Sequence, residues 1–410
     1  MKILAFGSYD ARSHPRVAVL LEGLRAHGDR VVEVNRPLGL DTATRVAILD
    51  QPWRLPVLAA RVLRTWTWLA VHGRRAYLRE RPDAVLVGYL GHFDVRLARL
   101  LFRRAAIVLD QLIFARDTAA DRGQSQAWKA WLLGRLDRGA VRAADLVVID
   151  TPEHRSLLAS LSRSPAQRAV VVRVGATRAW FEAGERAVGG WTGPGDRSVR
   201  VIFFGLFTPL QGAPVIGAAL GLLADLPELS VTMVGNGQDL ARTRAEAAGN
   251  PRVTWLDWIG AEELPHLVAE HDICLGIFGT GAKALRVVPN KVYQGAACCC
   301  AVVTSDTAPQ RAALGEAAVL VPPGDARALA EALRALVAEP AELARLRRAA
   351  RARAVAAFGA EQVVVPLRTA LAAGAPRPPS RPRRPHAQDP GGAATRPGDP
   401  QTGNTAPPQE

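Results

Sequence analysis

Residues 279–295 read GTGAKALRVVPNKVYQG, and more follows from this stretch than from any other. Of the 52 basic residues only four are lysines, and two of those, Lys283 and Lys291, stand here with Arg286 between them. An apolar run, Ile273–Phe278, precedes the stretch and reads as a buried strand; a glycine-containing loop follows it. Pro289–Asn290 then opens a helix, since proline at a first helical position lacks only an amide hydrogen that would be unpaired anyway. Cations beside a strand end, a glycine loop and a helix N-terminus suit a phosphorylated ligand. A solvated basic loop is the competing reading, and the rest of the chain has to decide between them.

The length of 410 residues suits two α/β domains with a core each. Net charge is +14, and the Pro-rich last 36 residues hold only five arginines against three acids, so most of the excess belongs to the folded part. Such an excess favours anionic partners, among them nucleotide-sugars and anionic lipid. Nucleic acid is set aside, because there is no basic-aromatic signature, zinc module or recognition-helix pattern. The four cysteines, Cys274 and Cys298–Cys300, have neither metal-ligand spacing nor the layout of a disulfide framework, and read as small core residues of a reducing compartment. No apolar run approaches a membrane span, and Met1–Gly7 is too short for a signal peptide, so the expected location is cytoplasmic.

Strand and helix alternate from the first residues. Ile3–Gly7, Val31–Val34, Val85–Gly88, Ile107–Leu109, Leu146–Ile149 and Val170–Gly175 read as short buried strands, and Val17, Leu20, Leu21 and Leu24 repeat at helical spacing. A second series runs Val199–Phe204, Val231–Val234, Val253–Leu256, Ile273–Phe278, Val302–Thr304 and Ala318–Val321, again with helices between. Repeated βα units predict parallel sheets covered on both faces. The expected organisation is a first domain over 1–181, a Gly/Pro/Trp-rich linker over 182–197, a second domain over 198–352, a terminal helix over 353–374 that packs back on the first domain, and a disordered tail over 375–410. Trp53–Arg81 sets Trp53, Trp66, Trp68 and Tyr77 among seven arginines. This reads either as a covering helix with snorkelling arginines or as peripheral contact with an anionic membrane.

Beyond the opening stretch stand further motifs in a fixed order: Phe204-Gly205-Leu206-Phe207-Thr208-Pro209-Leu210-Gln211-Gly212, then Val234-Gly235-Asn236-Gly237-Gln238, and finally Val321-Pro322-Pro323-Gly324-Asp325. Ala144–Thr151 and Val174-Gly175-Ala176 add looser matches in the first half. In this order the chain resembles GT-B glycosyltransferases of the family 4 type (glycosyl transferases group 1), in particular a subgroup with a PNKVY helix start. The resemblance spans about residues 1–372. It implies the GT-B fold, two Rossmann-like doubly wound domains facing across a cleft, with a nucleotide-sugar bound mainly by the second domain.

On that resemblance Gly205, Phe207, Gly212, Lys283, Arg286 and Lys291 belong to the donor and its diphosphate, and Gly235, Asn236, Gly237 and Gln294 to the nucleoside. For Gly205 and Gly212 an ordinary strand-to-helix turn is an equal alternative. Relatives place arginine and lysine where this chain has Leu206 and Gln211, so the leaving diphosphate falls to Lys283, Arg286 or Lys291. Of a pair of glutamates in relatives, the first register falls on Arg286 and the second on Gln294, whose amide still accepts a hydrogen bond but without charge. His92 and Asp110, after two strands of the first domain, are the candidates for catalytic contact with the acceptor, with a structural histidine and a helix cap as alternatives. Ser8, Asp10 and Asp117 are expected to line the acceptor side of the cleft, with a plain turn as the alternative for Ser8 and Asp10.

The expected function is retaining transfer of a sugar from a nucleotide-sugar to a glycan, lipid-linked or small-molecule hydroxyl, with no cofactor and no obligatory metal. Two rivals stay open: a GT-B protein that binds the nucleotide without catalysis, which Leu206, Gln211 and Gln294 favour, and a nucleotide-sugar epimerase.

Overall fold

A computed structural model describes residues 1–11, 15–38, 55–89, 91–123, 126–162, 168–190, 198–247 and 249–374. The first half holds strands β1 (Lys2–Gly7), β2 (Arg30–Asn35), β3 (Ala84–Val87), β4 (Ala106–Asp110), β5 (Leu146–Ile149) and β6 (Ala169–Val171). They form one sheet in the order β2-β1-β3-β4-β5-β6, every pair parallel. Parallel pairing forces each connection to cross a face of the sheet, and both faces are covered. Helix α1 (Pro15–Ala26) covers one face with Val17, Leu20, Leu21 and Leu24. Helices α2 (Leu55–Glu80), α3 (Asp94–Leu101), α4 (Ala115–Asp121), α5 (Ala127–Ala143) and α6 (Pro152–Ser162) connect the later strands, and α2, α3, α5 and α6 put Leu69, Val95, Ala98, Ala140 and Leu158 into the other face.

Helix α7 (Arg178–Gly190) leads out of the first half. The residues 182–190, expected to belong to the linker, continue this helix because Trp180 and Ala183 pack into the core of the second half; 191–197 lie outside the described residues. The second sheet holds β7 (Val199–Phe204), β8 (Leu229–Val234), β9 (Val253–Leu256), β10 (Ile273–Leu275), β11 (Ala301–Ser305) and β12 (Ala318–Val321), in the order β12-β11-β10-β7-β8-β9, again all parallel. Between and after them run α8 (Ala213–Gly221), α9 (Leu240–Glu246), α10 (Leu264–Ala269), α11 (Asn290–Ala297), α12 (Ala308–Leu314), α13 (Ala326–Ala338) and α14 (Pro340–Ala357). β10 is shorter than the apolar run predicts. Beyond Leu275 the backbone leaves the ladder, and the Ile277 amide bonds the Thr304 hydroxyl while that of Phe278 bonds the Gln211 carbonyl. The four cysteines are buried here without disulfides, and burial alone pushes the Cys274 thiol up to about 12.

The chain then returns to the first half. Helix α15 (Ala360–Ala372) lays Val363, Val364 and Leu367 against α1, completing the core on that face, and a parallel bridge joins Ala176 to Gly359. Arg368 donates to Asp29, whose other oxygen accepts from the N-terminal ammonium. The tail expected to be disordered and Trp53 both lie outside the described residues. Leu367→Ala should cost about 2–5 kcal/mol, the range for opening a cavity at a fully buried leucine, measured by denaturant unfolding.

Candidate active site

In the second sheet β7 and β10 are neighbours, yet the chain leaves β7 into α8 on one face and β10 into α11 on the other. The two connections part at the carboxyl edge and leave a crevice, the place where open α/β sheets take ligands. Its walls are the loop 205–212 and the stretch 276–289 quoted at the outset. Gly205 (φ +130°) and Gly212 (φ +62°) both sit in backbone conformations that favour glycine. A Cβ on Gly212 would fall 2.4 Å from the Phe278 carbonyl carbon and the Gly279 amide nitrogen, so the two walls touch at this point. Gly212 is also the N-cap of α8, whose helix dipole points its positive end into the crevice.

Lys291, in the first turn of α11, forms the floor. The residue is only 4% exposed, and its Nζ donates to Gln211 Oε1 at 2.6 Å and lies 3.7 Å from the centre of the Phe203 ring. A Cβ on Gly205 would stand 3.5 Å from the same Nζ. Among the described residues no carboxylate is bonded to this ammonium, and burial brings its pKa down to about 7. A cation held beneath glycine backbone with a neutral partner is poised to accept an anion.

Lys283 and Arg286 are placed differently. Arg286 Nη2 donates to Asp117 Oδ1 at 2.6 Å and Lys283 Nζ to Thr118 Oγ1 at 3.0 Å, so both reach across to α4 of the first half. Asp121, also on α4, takes a hydrogen bond from the Leu210 amide, and burial raises its pKa against the pull of Lys283. Burial lowers that of Lys283 against the opposing pull of Asp121 and Asp117. The Thr151 hydroxyl adds a bond to the Arg286 carbonyl at 2.8 Å. These contacts tie the two halves together along one side of the crevice.

The nucleoside candidates lie one strand further on. Gly235 and Gly237 form the turn after β8, a Cβ on Gly235 would fall 2.1 Å from the Gly205 carbonyl, and Asn236 Oδ1 accepts from the Gly237 amide at 2.7 Å. Phe207 serves by its backbone, which bonds the Asn236 carbonyl and the Asp239 amide, while its ring is fully buried against Phe203. Gln294 is buried on α11, and its carboxamide makes no hydrogen bond among the described residues.

His92 and Asp110 are both built into the first half's frame. His92 Nε2 donates to Asp137 Oδ1 at 2.9 Å, and the Asp137 carboxylate also accepts the Ala115 and Arg116 amides, capping α4. Asp110 accepts from Arg16 Nε at 2.7 Å inside the protein, where burial raises its pKa despite that partner, and Arg16 spends Nη1 on the Val172 and Arg173 carbonyls. Ser8 turns its hydroxyl and amide to Asp94 Oδ2, both at 2.7 Å, and Asp10 is half-buried in the same turn. Thr118 and Asp121 were not among the residues the sequence singled out, since a seven-residue helix carries too little periodicity to reveal its inward face, and Thr151 stood there only as the end of the Ala144–Thr151 match. The ends of β5 and β6 add Asp150, Thr151 and Arg173, which line a cavity of about 320 Å3 with Val288, Tyr293 and Gln362.

Residues 198–339 match the profile of the family described as Glycosyl transferases group 1. No curated protein is significantly similar in sequence. Among solved structures, sucrose-phosphate synthase from Thermosynechococcus elongatus superposes with a TM-score of 0.65 at 17% identity, over 91% of this chain and 100% of that one. HepE from Anabaena, solved with UDP-glucose, gives 0.61 at 14% identity, over 91% and 100%. An α,α-trehalose-phosphate synthase (UDP-forming) from Burkholderia vietnamiensis gives 0.62 at 15% identity, over 90% and 96%. The chain therefore has the two-domain GT-B fold.

Since burial brings the Lys291 pKa down to about 7, an anion that prefers the ammonium should bind with proton uptake and lose up to about tenfold in affinity per pH unit above pH 7. Lys291→Met should abolish that slope. Folded Lys291 holds its proton less tightly than the ordinary 10.5 of an unfolded chain, so it penalises the fold at and below about pH 7 and progressively less as pH rises towards 10.5. The methionine variant should accordingly be the more stable protein at neutral pH; calorimetry with a nucleoside diphosphate and unfolding curves test both. Asp117→Asn with Asp121→Asn should loosen the halves, costing about 1–3 kcal/mol and enlarging the radius of gyration in X-ray scattering.

Proposed function

We propose that the chain is a glycosyltransferase that moves a sugar from a nucleotide-sugar donor to an acceptor hydroxyl, with retention at the anomeric carbon. The observation that carries this reading is the buried ammonium of Lys291 against the glycine loop 205–212 at the switch point of the second sheet. The group 1 profile over the same half supports it, as do structural neighbours solved with UDP, UDP-glucose and glucose-6-phosphate. The bond between the anomeric carbon and the diphosphate oxygen breaks, and one to the acceptor oxygen forms on the same face. The acceptor's proton passes to a departing phosphate oxygen. Negative charge grows on the diphosphate as this happens, and Lys291 with the α8 N-terminus stabilises it most when it is fullest. The charge is met by groups of the chain, so the reaction is proposed to need no metal and no cofactor beyond the donor.

His92 and Asp110 act in this scheme through what they hold: His92 through Asp137 and α4, Asp110 through Arg16. The glycan, lipid-linked or small-molecule acceptor enters from the first half, and the reaction is assigned to the cytoplasm. A second reading has its own support. Lys283 and Arg286 are engaged by Asp117 and Thr118, and Leu206 is exposed where relatives carry an arginine, which is what a nucleotide-binding protein without turnover would show.

A panel of nucleoside diphosphates and nucleotide-sugars separates the readings. A ligand at a hundred times its dissociation constant adds about 2.7 kcal/mol to stability and is visible in thermal unfolding. Release of the nucleoside diphosphate on addition of donor and acceptor is expected, with Lys291→Met lowering kcat/KM by about 100- to 1000-fold. Binding without release, whatever the acceptor, would favour the non-catalytic protein.

A further inference from the structure

We infer that the outer helical layer of the first half, α2, α3 and α5, docks on an anionic bilayer surface, and that the acceptor is borne on lipid; the second clause rests on the proposed transfer, the first does not. Because the strands they connect are parallel, all three helices run back against the sheet and begin at its carboxyl edge, the edge that carries the candidate site. Trp66 fixes the level: its Nε1 donates to Asp94 Oδ1, and Asp94 is the first residue of α3. The part of α2 before Trp66, about 16 Å at 1.5 Å per residue, therefore projects beyond that edge.

The cleft-proximal ends of these helices expose Val57, Leu63, Phe93, Trp128, Trp131 and Leu132 at 45–66%, although large apolar side chains are normally buried. Charge on the same layer has one sign. Every charged side chain of α2, α3 and α5 that is exposed is an arginine, among them Arg61, Arg64, Arg96 and Arg135, while Asp94 and Asp137 are buried and Glu80 is half-buried at the far end. The Arg135 guanidinium lies 4.9 Å from the Trp131 ring centre, pairing cation and indole as an interfacial anchor does.

A bilayer with anionic headgroups supplies both partners at once, hydrocarbon for the indoles and leucines and phosphate for the arginines. A second copy of this chain does not, because two all-arginine faces repel. Nucleic acid gives the arginines partners but leaves Val57, Leu63 and Leu132 in water. Among the described residues no helix is long and apolar enough to cross a membrane, so the contact is a surface one. Docking by this layer brings the carboxyl edge down to the headgroups, within reach of a lipid-borne hydroxyl.

The full chain should co-sediment with vesicles of phosphatidylcholine mixed with anionic phosphatidylglycerol and far less with pure phosphatidylcholine. Trp128→Ser with Trp131→Ser should weaken binding by about tenfold or more, and Arg64→Gln or Arg135→Gln by about fivefold each. Bilayer-embedded brominated lipid should quench tryptophan emission in the parent and quench it less in the double variant, which keeps Trp66 and Trp68 on α2. Unfolding midpoints and the nucleotide-induced shift are expected to stay unchanged in all of them, which separates loss of docking from loss of the site. Vesicle binding that is absent, indifferent to the anionic lipid, or unaltered in these variants overturns the inference, as does an oligomer in solution that dissolves with the tryptophan substitutions. Nucleotide binding that fails while vesicle binding holds overturns only the proposed transfer.

Discussion

The ammonium of Lys291 is the group around which the rest is arranged. A lysine this deeply buried without a carboxylate is costly in isolation, since burial disfavours its charged form. The surroundings make it tolerable without quenching it: a carboxamide oxygen, the face of a phenylalanine ring, and glycine backbone close above. A carboxylate there would stabilise the empty protein and fill the place of an incoming anion. Gln211 is what one would install to hold a cation in readiness, neutral and able to yield its bond.

Much of this was legible in the sequence. The order of βα units announced two parallel sheets, and Pro289 together with the glycines located the crevice. What the sequence could not assign was the division of labour among the three cations. Lys283, Arg286 and Lys291 are equivalent as letters; only the fold turns Lys291 inward and sends the other two across to Asp117 and Thr118. His92 and Asp110 illustrate the same limit in reverse. Their position after strand ends marks them for chemistry, yet their partners Asp137 and Arg16 lie 45 and 94 residues away, beyond any local pattern. Over 182–190 glycine and charge read as a linker, whereas Trp180 and Ala183 enter the second half's core and the helix runs on to Gly190.

The first half thus contributes less as a set of reactive side chains than as a brace. The His92–Asp137 pair caps α4, and α4 carries the carboxylates that engage the second half's loop. Residues remote from the diphosphate in this way govern how firmly the crevice is closed. Electrostatics also differ from one side to the other: the contacts from the second half to α4 pair base with acid, while the exposed charges of α2, α3 and α5 are all arginine.

The return of α15 to the first half has a temporal consequence. Ala360, Val363, Val364 and Leu367 are the last buried pieces of a core whose other buried members are made within the first 175 residues. During synthesis the second half can complete its own sheet before that wedge leaves the ribosome, while α1 waits with one flank uncovered. The part of the protein translated first is therefore finished last, and a nascent chain stopped before Ala360 presents a bare hydrophobic strip to chaperones.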